Sequence, residues 1–557
     1  MTNPVDPVTF HDEIEAYCGA QSCLPGEEVT LHVSTRCETF DVVVERWGAT
    51  REAVWSSDGV PGRYTPAPPG ADAEGCRWPP TLAIPVGEGW PSGFHLVTVR
   101  AYGAAEGCDT AHAWFAVRPT PGGDRTGRAL LVLATNTWNA YNPWGGASLY
   151  TGGDQVSFRR PVARGLLDRP ALERDDRKAR PVRWDEEPDP DGEIYQAWRL
   201  ANDYPGSVGS SGWFMFERRF VAWAEADGYA VDVAVQADLD VDPSVLDGYP
   251  LVLGVGHDEY WTAAERDAVE AHVRRGGAYA SFSGNTMFWQ VRLEAGATGP
   301  HDTMIGHKYS AHETDPVVAE GRPEAMSGLW SDPLVGRPEW TFLGGASAFG
   351  LYHRFGAAVA RGAGAFTVYR DDHWMLTGTG LRYGDLLGAR DGVVGYETLG
   401  CRLQFDEYQL PVAAPWPGMP EEVEIVAFSP SSNLGMGEYP SSISALNDQG
   451  DLEFIAERVG GGTDDDTLRR FRHGSAILAL VRPFTDPGAG DVVTVGTTDW
   501  VFGLDTDPAV ARVTANVLDR YLAGNHGHAE REDLAGNKDL TATDDHAERE
   551  DLAENEA

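Results

Sequence analysis

The run "LVLGVGHDEYWTAAERDAV", residues 251–269, breaks off an apolar, glycine-spaced pattern at His257 and continues at once into Asp258, Glu259, Tyr260 and Trp261. An imidazole two residues from a carboxylate, where a buried strand should stop, suits proton transfer or metal ligation. Two other strand-like runs end in related chemistry. "ALLVLA" (129–134) leads into "TNTWNAYNPWGGASLY" with Tyr141 and Tyr150, and "AYASFSGN" (278–285) closes on Asn285 before "TMFW". Each residue alone has a plain explanation. His257 could cap a strand, Glu259 could face the N-terminus of the next helix, where a carboxylate is stabilised, and the tyrosines could be packing residues. Their concurrence at three strand ends points instead to a pocket.

Those ends meet only if the strands run parallel, and the pattern after residue 128 predicts that they do. "MFERRFVAWAEADGY" (215–229) reads as a helix ending at Gly228, and "AVDVAV" (230–235) and "YPLVLGVG" (249–256) read as strands. Thr262 and Glu265 form a capping box opening a helix that Gly276 and Gly277 close. Alternating strand and helix predicts an α/β fold with a parallel sheet, whose right-handed crossovers put every carboxyl end on one ligand-binding edge. Residues 159–212 are polar and proline-rich and read as an insertion or long loop. "EEVEIVAFS", "GSAILALVRPF" and "DVVTVGTTDWVFGL" read as further strands, and "PAVARVTANVLDRYLAG" (508–524) as a final helix. They complete an α/β catalytic domain over 129–524 that carries β insertions.

Residues 1–118 hold short alternating runs, among them "EEVTLHVST", "FDVVVERW", "HLVTVRAYG" and "HAWFAVR", which predict a β-sandwich. Residues 119–128 are a Pro/Gly-rich linker. Residues 525–557 repeat "HAEREDLA", are acidic without aromatics, and read as a disordered tail.

The formal net charge of −41 excludes nucleic acid as a default partner and argues against anionic membranes. Lysine occurs only at 178, 308 and 538, so 41 of the 44 basic residues are arginine. High acid with almost no lysine reads as a halophilic composition, in which molar salt shortens the Debye length to about 3 Å and screens self-repulsion. The plain alternative is an acidic protein from a GC-rich genome. No apolar run approaches the ~20 residues that span a bilayer, and the first twenty residues lack a basic start and apolar centre, so a soluble cytoplasmic protein is expected. Cys18, Cys23, Cys37, Cys76, Cys108 and Cys401 show no C-x-x-C spacing and read as buried thiols, or as disulfides if the chain is exported.

The motifs "NTWNAYNPWGGASLY", "VGHDEYW", "SGNTMFW" and "GTTDWVFGL" resemble the large (β) subunit of N,N-dimethylformamidase and its relatives. The resemblance is strongest over 129–295 and patchier to 505. "FDVVVERWG", "GCRWP" and "GWPSGFHLV" resemble the β-sandwich preceding that domain in relatives. The resemblance implies a class I glutamine amidotransferase-like α/β core preceded by an immunoglobulin-like sandwich. No cysteine stands at the strand end, so a cysteine nucleophile is not expected. It implies a mononuclear Fe(III) held by Tyr141, Tyr150 and Glu259. His257 matches a histidine beside the metal, Asn285 a polar pocket residue, and Lys308 in "GHKYS" and Glu397 in "GYETLG" a pocket lysine and glutamate. This chain departs from the formamidase in having Asp258 where that enzyme has proline, a shorter segment between the two tyrosines, and no counterpart of that enzyme's additional N-terminal part.

The implied chemistry is coherent. Fe(III) is hard and prefers anionic oxygen. Two phenolates and one carboxylate cancel its charge and leave positions open to bind water or polarise a carbonyl. Zinc is the second choice of metal. The expected reaction cleaves a small, N-substituted amide to a carboxylic acid and an amine. His257 or Glu397 would move protons, and Asn285 would donate to the developing oxyanion, a role worth about 3–4 kcal/mol elsewhere. Trp138, Trp144, Trp261 and Trp289 could form a dry wall, or simply pack. The expected partners are the small-molecule amide and either a second copy of the chain or a small partner subunit. The competing reading is a non-catalytic binding or scaffold protein with a degenerate amidotransferase-like domain, related to glycan recognition.

Overall fold

Near-continuous apolar runs suit strands covered on both faces. Five such runs form the parallel half of one large sheet: Ala230–Val235, Arg128–Leu133, Leu251–His257, Ala278–Gly284 and Val492–Val495, in that order across it. The coordinates are a computed structural model describing residues 13–103, 109–170, 177–179, 187–297, 299–360, 364–440 and 450–523. The first strand in sequence, Arg128–Leu133, lies between the second, Ala230–Val235, and the third, Leu251–His257. Crossovers therefore leave in opposite directions beyond the carboxyl ends of the first and third strands. That is the topological switch point, where open α/β sheets place their ligands.

The other half of the sheet differs from the sequence expectation. His473–Arg482, Glu422–Ser432, Phe366–Val368 and Leu386–Leu387 continue the same sheet antiparallel, rather than standing apart as insertions. A long hairpin-like pairing of 422–432 with 473–482, with one register shift between Ile425 and Ala427, extends the core sideways. Period-2 and continuous apolar runs look alike over such short strands, so the direction of pairing was not legible.

The helices follow the expected signals. Ala263–Arg274 opens on Thr262, whose side chain accepts from the Glu265 amide while Glu265 accepts from the Thr262 amide. Glu217–Ala226 and Pro508–Leu522 match their predicted spans to within two residues at each end. The 159–212 segment is not wholly irregular: Glu193–Ala201 is a helix, and Leu166, Leu167 and Val208 are buried. Its polarity hid the helix, because only a narrow apolar stripe is needed on a helix that lies over a larger body.

Residues 14–117 form two sheets, one of three strands and one of five, which enclose a shared core of Val29, Leu31, Ile84, Val42, Val97 and Phe115. The outer face of the larger sheet is apolar too, and packs on the α/β half. Phe94 stacks on Trp213 with ring centroids 4.1 Å apart, and Trp114 meets Trp138 at 5.1 Å. The hydrophobic core is thus continuous across residues 119–128. Cys18, Cys23, Cys37, Cys76 and Cys401 are unbridged; Cys108 and the repeats after 525 lie outside the described residues. Among the described residues no helix is long and apolar enough to cross a membrane.

Candidate functional site

Tyr141 ends a short helix, Thr135–Tyr141, that starts one residue after the first parallel strand. Every residue of this helix is buried although four are Thr or Asn, so its polar groups need partners. Glu217 accepts from the Ala134 amide and the Trp138 indole, Gln236 accepts from the Asn136 amide, and Asn136 donates to Glu265. Burial pushes both Glu217 and Glu265 up to about 8. Thr137 turns its hydroxyl to the Glu259 amide, 3.0 Å away, and so ties this helix to the loop carrying Glu259.

The two tyrosines and the glutamate converge. The Tyr141 and Tyr150 rings stack with centroids 4.2 Å apart. The Tyr150 hydroxyl donates to Glu259 at 2.7 Å from either carboxylate oxygen. The Trp289 indole donates to Glu259 Oε1 at 2.8 Å. Burial first, and then the Glu259 charge, push both phenols well above their ordinary range. Burial also raises Glu259.

His257 sits beside them. Its Nδ1 lies 2.8 Å from the Ser210 carbonyl, which fixes a proton there and turns Nε2 toward the acids. Nε2 is 2.7 Å from Glu397 Oε2 and 3.4 Å from Glu259 Oε2, yet meets neither at a hydrogen-bonding angle. Burial works against the imidazolium, but Glu397 and then Glu259 outweigh it and push His257 up to about 9. Glu397 answers in the opposite sense: burial would raise it, and the contacts with His257 and Asn285, with the more distant charge of Lys178, hold it below the ordinary carboxylate range. Asn285 Nδ2 donates to Glu397 Oε2 at 2.8 Å.

Lys308 reaches the same cluster from below Tyr150, with Nζ 3.2 Å from the ring centroid and a hydrogen bond to the Leu149 carbonyl at 3.3 Å. Burial lowers its pKa to about 8. Asn285, Met287 and Lys308 all hold positive φ, at 52°, 56° and 56°. Left-handed backbone at non-glycine residues is costly and gathers where side chains must be aimed. Tyr141, Tyr150, His257, Glu259, Asn285, Lys308 and Glu397 therefore occupy one cluster at the switch point, Tyr150 half-buried and the others buried.

Of the four tryptophans, only Trp289 reaches it. Trp138 bonds Glu217, Trp144 packs on Trp78, and Trp261 bonds Asp258 on the far side of the loop. Asp258 itself turns away, toward Gln236, and burial pushes it up to about 7. Two groups went unnoticed in the sequence. Tyr396 places its hydroxyl 3.4 Å from His257 Nδ1, and Lys178 donates to Ser210 Oγ at 2.9 Å. The scarcity of lysine was the signal that could have found Lys178.

The donor set fits a hard cation. His257, Glu259 and Glu397 each offer an atom within 4.8 Å of the others, all buried. Two oxygens each ~2.0 Å from one ion, at right angles, stand about 2.8 Å apart, close to the Tyr150–Glu259 separation. The buried His257 Nε2 without a hydrogen-bond partner adds one nitrogen donor, and two phenols with stacked rings add oxygens beside the carboxylates.

Residues 41–515 match the family model described as "N,N-dimethylformamidase beta subunit-like, C-terminal". The chain is 23% identical over 485 residues to the N,N-dimethylformamidase beta subunit of Alcaligenes sp, and equally to that of Paracoccus aminophilus. Each alignment covers 80% of this chain and 54% of the relative, so the chain spans about half the length of the curated relatives it matches.

Proposed function

The chain belongs to the N,N-dimethylformamidase beta subunit-like family, and from that premise we propose that it hydrolyses C–N bonds of small linear amides, yielding a carboxylic acid and an amine. The observation that carries the reading is the contact of the Tyr150 phenol with both oxygens of Glu259, beside the Tyr141 ring and 3.4 Å from His257 Nε2. We also read the parallel half of the sheet as amidotransferase-like and the two N-terminal sheets as immunoglobulin-like.

Tyr141, Tyr150 and Glu259 would hold a single Fe(III) ion, zinc being second choice; when bound it supplies Lewis-acid polarisation of a carbonyl and acidifies water. The remaining work falls to the chain. His257, with Nδ1 fixed on Ser210, carries a proton at Nε2 and hands it to the departing amine. Glu397 holds the imidazolium in place and takes up the proton traffic. One amide hydrogen of Asn285 serves Glu397, and the other is free to meet an oxyanion. Lys308 adds positive potential under the Tyr150 ring, favouring the phenolate.

The relatives are named as beta subunits, and we extend the reading to a partner subunit or a homo-oligomer, which the native mass of the purified protein would reveal. The functional test is metal analysis with a panel of amides scored by amine release. About one iron per chain, a visible tyrosinate charge-transfer band and amine release are expected. A colourless protein that takes up no iron and releases no amine would favour the scaffold reading.

A further inference from the structure

The chain keeps lysine at three positions in 557, and the two among the described residues, Lys178 and Lys308, both border the same buried cluster. Elsewhere among the described residues arginine does the work of a permanent cation. Lysine differs in being a compact ammonium with three donors that a small ligand can share. Lys178 approaches from the 159–212 segment. Its Nζ donates to Ser210 Oγ at 2.9 Å and stands over the Tyr396 and Phe355 rings, 5.0 and 5.4 Å from their centroids. Ser210 also holds His257 Nδ1 through its carbonyl, and the Tyr396 hydroxyl lies 3.4 Å from the same nitrogen, so the ammonium borders the pocket of His257 and its two acids.

Among the described residues no carboxylate comes within ion-pair distance of Lys178, whose one hydrogen bond leaves two ammonium hydrogens for other acceptors. The pocket's acids are already engaged. Glu397 faces His257 and Asn285, and Glu259 faces Tyr150 and Trp289. A half-buried cation without a paired counter-ion is costly. An anion arriving with the substrate would relieve that cost. Lys178 also keeps part of its surface open, so it lines space rather than filling it.

Resting on the amide-hydrolase reading, we propose that Lys178 is an anion-binding, specificity-determining residue, and that the preferred substrates are amides carrying a carboxylate on one substituent. The ammonium would hold that carboxylate while the scissile carbonyl lies toward Glu259 and His257. In a chain of net charge −41, whose overall field repels anions, a dedicated cation is what such a substrate requires.

The test compares N-acetylglycine with N-methylacetamide, an acid and a neutral amide of like reacting group, at fixed ionic strength. Wild-type kcat/KM should favour the acid about tenfold or more. Lys178→Met should lower that ratio about tenfold, mostly through KM, and Lys178→Arg should restore part of it. An unchanged ratio in Lys178→Met, or a wild-type preference for the neutral amide, overturns the proposal. If the wild type cleaves neither, the amide-hydrolase reading fails, and calorimetric binding of N-acetylglycine to iron-loaded wild type and Lys178→Met still decides the anion site. There, about tenfold weaker binding by the variant supports the site, and equal or absent binding by both sinks it. Lys178→Gln is the substitute should the methionine variant not fold.

Discussion

The Tyr150 hydroxyl and the Glu259 carboxylate meet at 2.7 Å although they lie 109 residues apart in the chain. One sits on the turn after the first parallel strand's helix, the other just past the end of the third strand. The switch-point order of the sheet brings those two segments side by side. Without a metal their contact is a phenol donating to an acid. A bound trivalent cation would favour the anionic form of both.

That geometry predicts the outcome of removing Glu259. Glu259→Ala should lower iron from about one per chain to a trace and abolish the tyrosinate band, measured by elemental analysis and visible absorption. Tyr150→Phe should weaken the band and the iron content together. Normal iron occupancy in Glu259→Ala would refute the ligand assignment.

A second prediction concerns His257 and Glu397 in the metal-free protein. His257 is raised from 6.5 to about 9, so its pairing stabilises the fold fully below pH 6.5 and is lost as pH climbs through 9. Glu397 is lowered, so its contribution is present above its ordinary pKa of roughly 4.3 and fades as pH falls below it. The contribution of this pair should be greatest between roughly pH 5 and 6.5. Glu397→Gln should shrink the alkaline decline seen in denaturant titrations across pH, leaving the part that the raised Glu217, Glu265 and Asp258 contribute as pH climbs to about 8. It should also cut amide turnover by about 10²- to 10⁴-fold, the usual range for a lost acid–base partner. An alkaline decline of the same size in Glu397→Gln would assign it to another group.

Much of this site was legible because its residues are local to strand ends. His257, Glu259 and Asn285 follow directly on continuous apolar runs, and Thr262 with Glu265 marks the next helix unambiguously. Tyr141 was legible as a strand-end residue but not as a helix end, because T-N-T-W-N-A-Y has no amphipathic stripe when buried all round. Lys178 and Tyr396 were hidden for a different reason. Their roles come from long-range placement on Ser210 and His257, which no local pattern encodes. The antiparallel half of the sheet was likewise invisible, since strand pairing is a tertiary choice.

A third prediction follows from the glycine before His257. Gly256 has φ of 81°, and a Cβ there would stand 2.2 Å from the Phe216 Cβ. Gly256→Ala must both leave the left-handed region and displace Phe216, which packs in the main core. A cost of about 2–4 kcal/mol is expected from overpacking and backbone strain together. His257 would shift off Ser210, so iron-loaded protein should lose activity beyond what its lower melting temperature explains. A variant with wild-type stability would show that Phe216 yields freely.

The last prediction concerns salt. Surface ion pairs such as Arg274 with Asp486 are exposed at both ends and worth roughly 0–1 kcal/mol each, a contribution that salt weakens. Repulsion acts the other way. With 85 acids against 44 basic residues, 41 acids have no cationic counterpart even if every Lys and Arg were paired. Raising KCl from about 0.1 M to about 1 M shortens the Debye length from ~10 to ~3 Å, which removes more repulsion than attraction when one sign is in such excess. The melting temperature should therefore rise steadily with KCl, and more than in a sucrose series of equal osmolality. A flat or falling curve would mean that the acidic side chains are too far apart to repel, and the halophilic reading of the composition would fall with it.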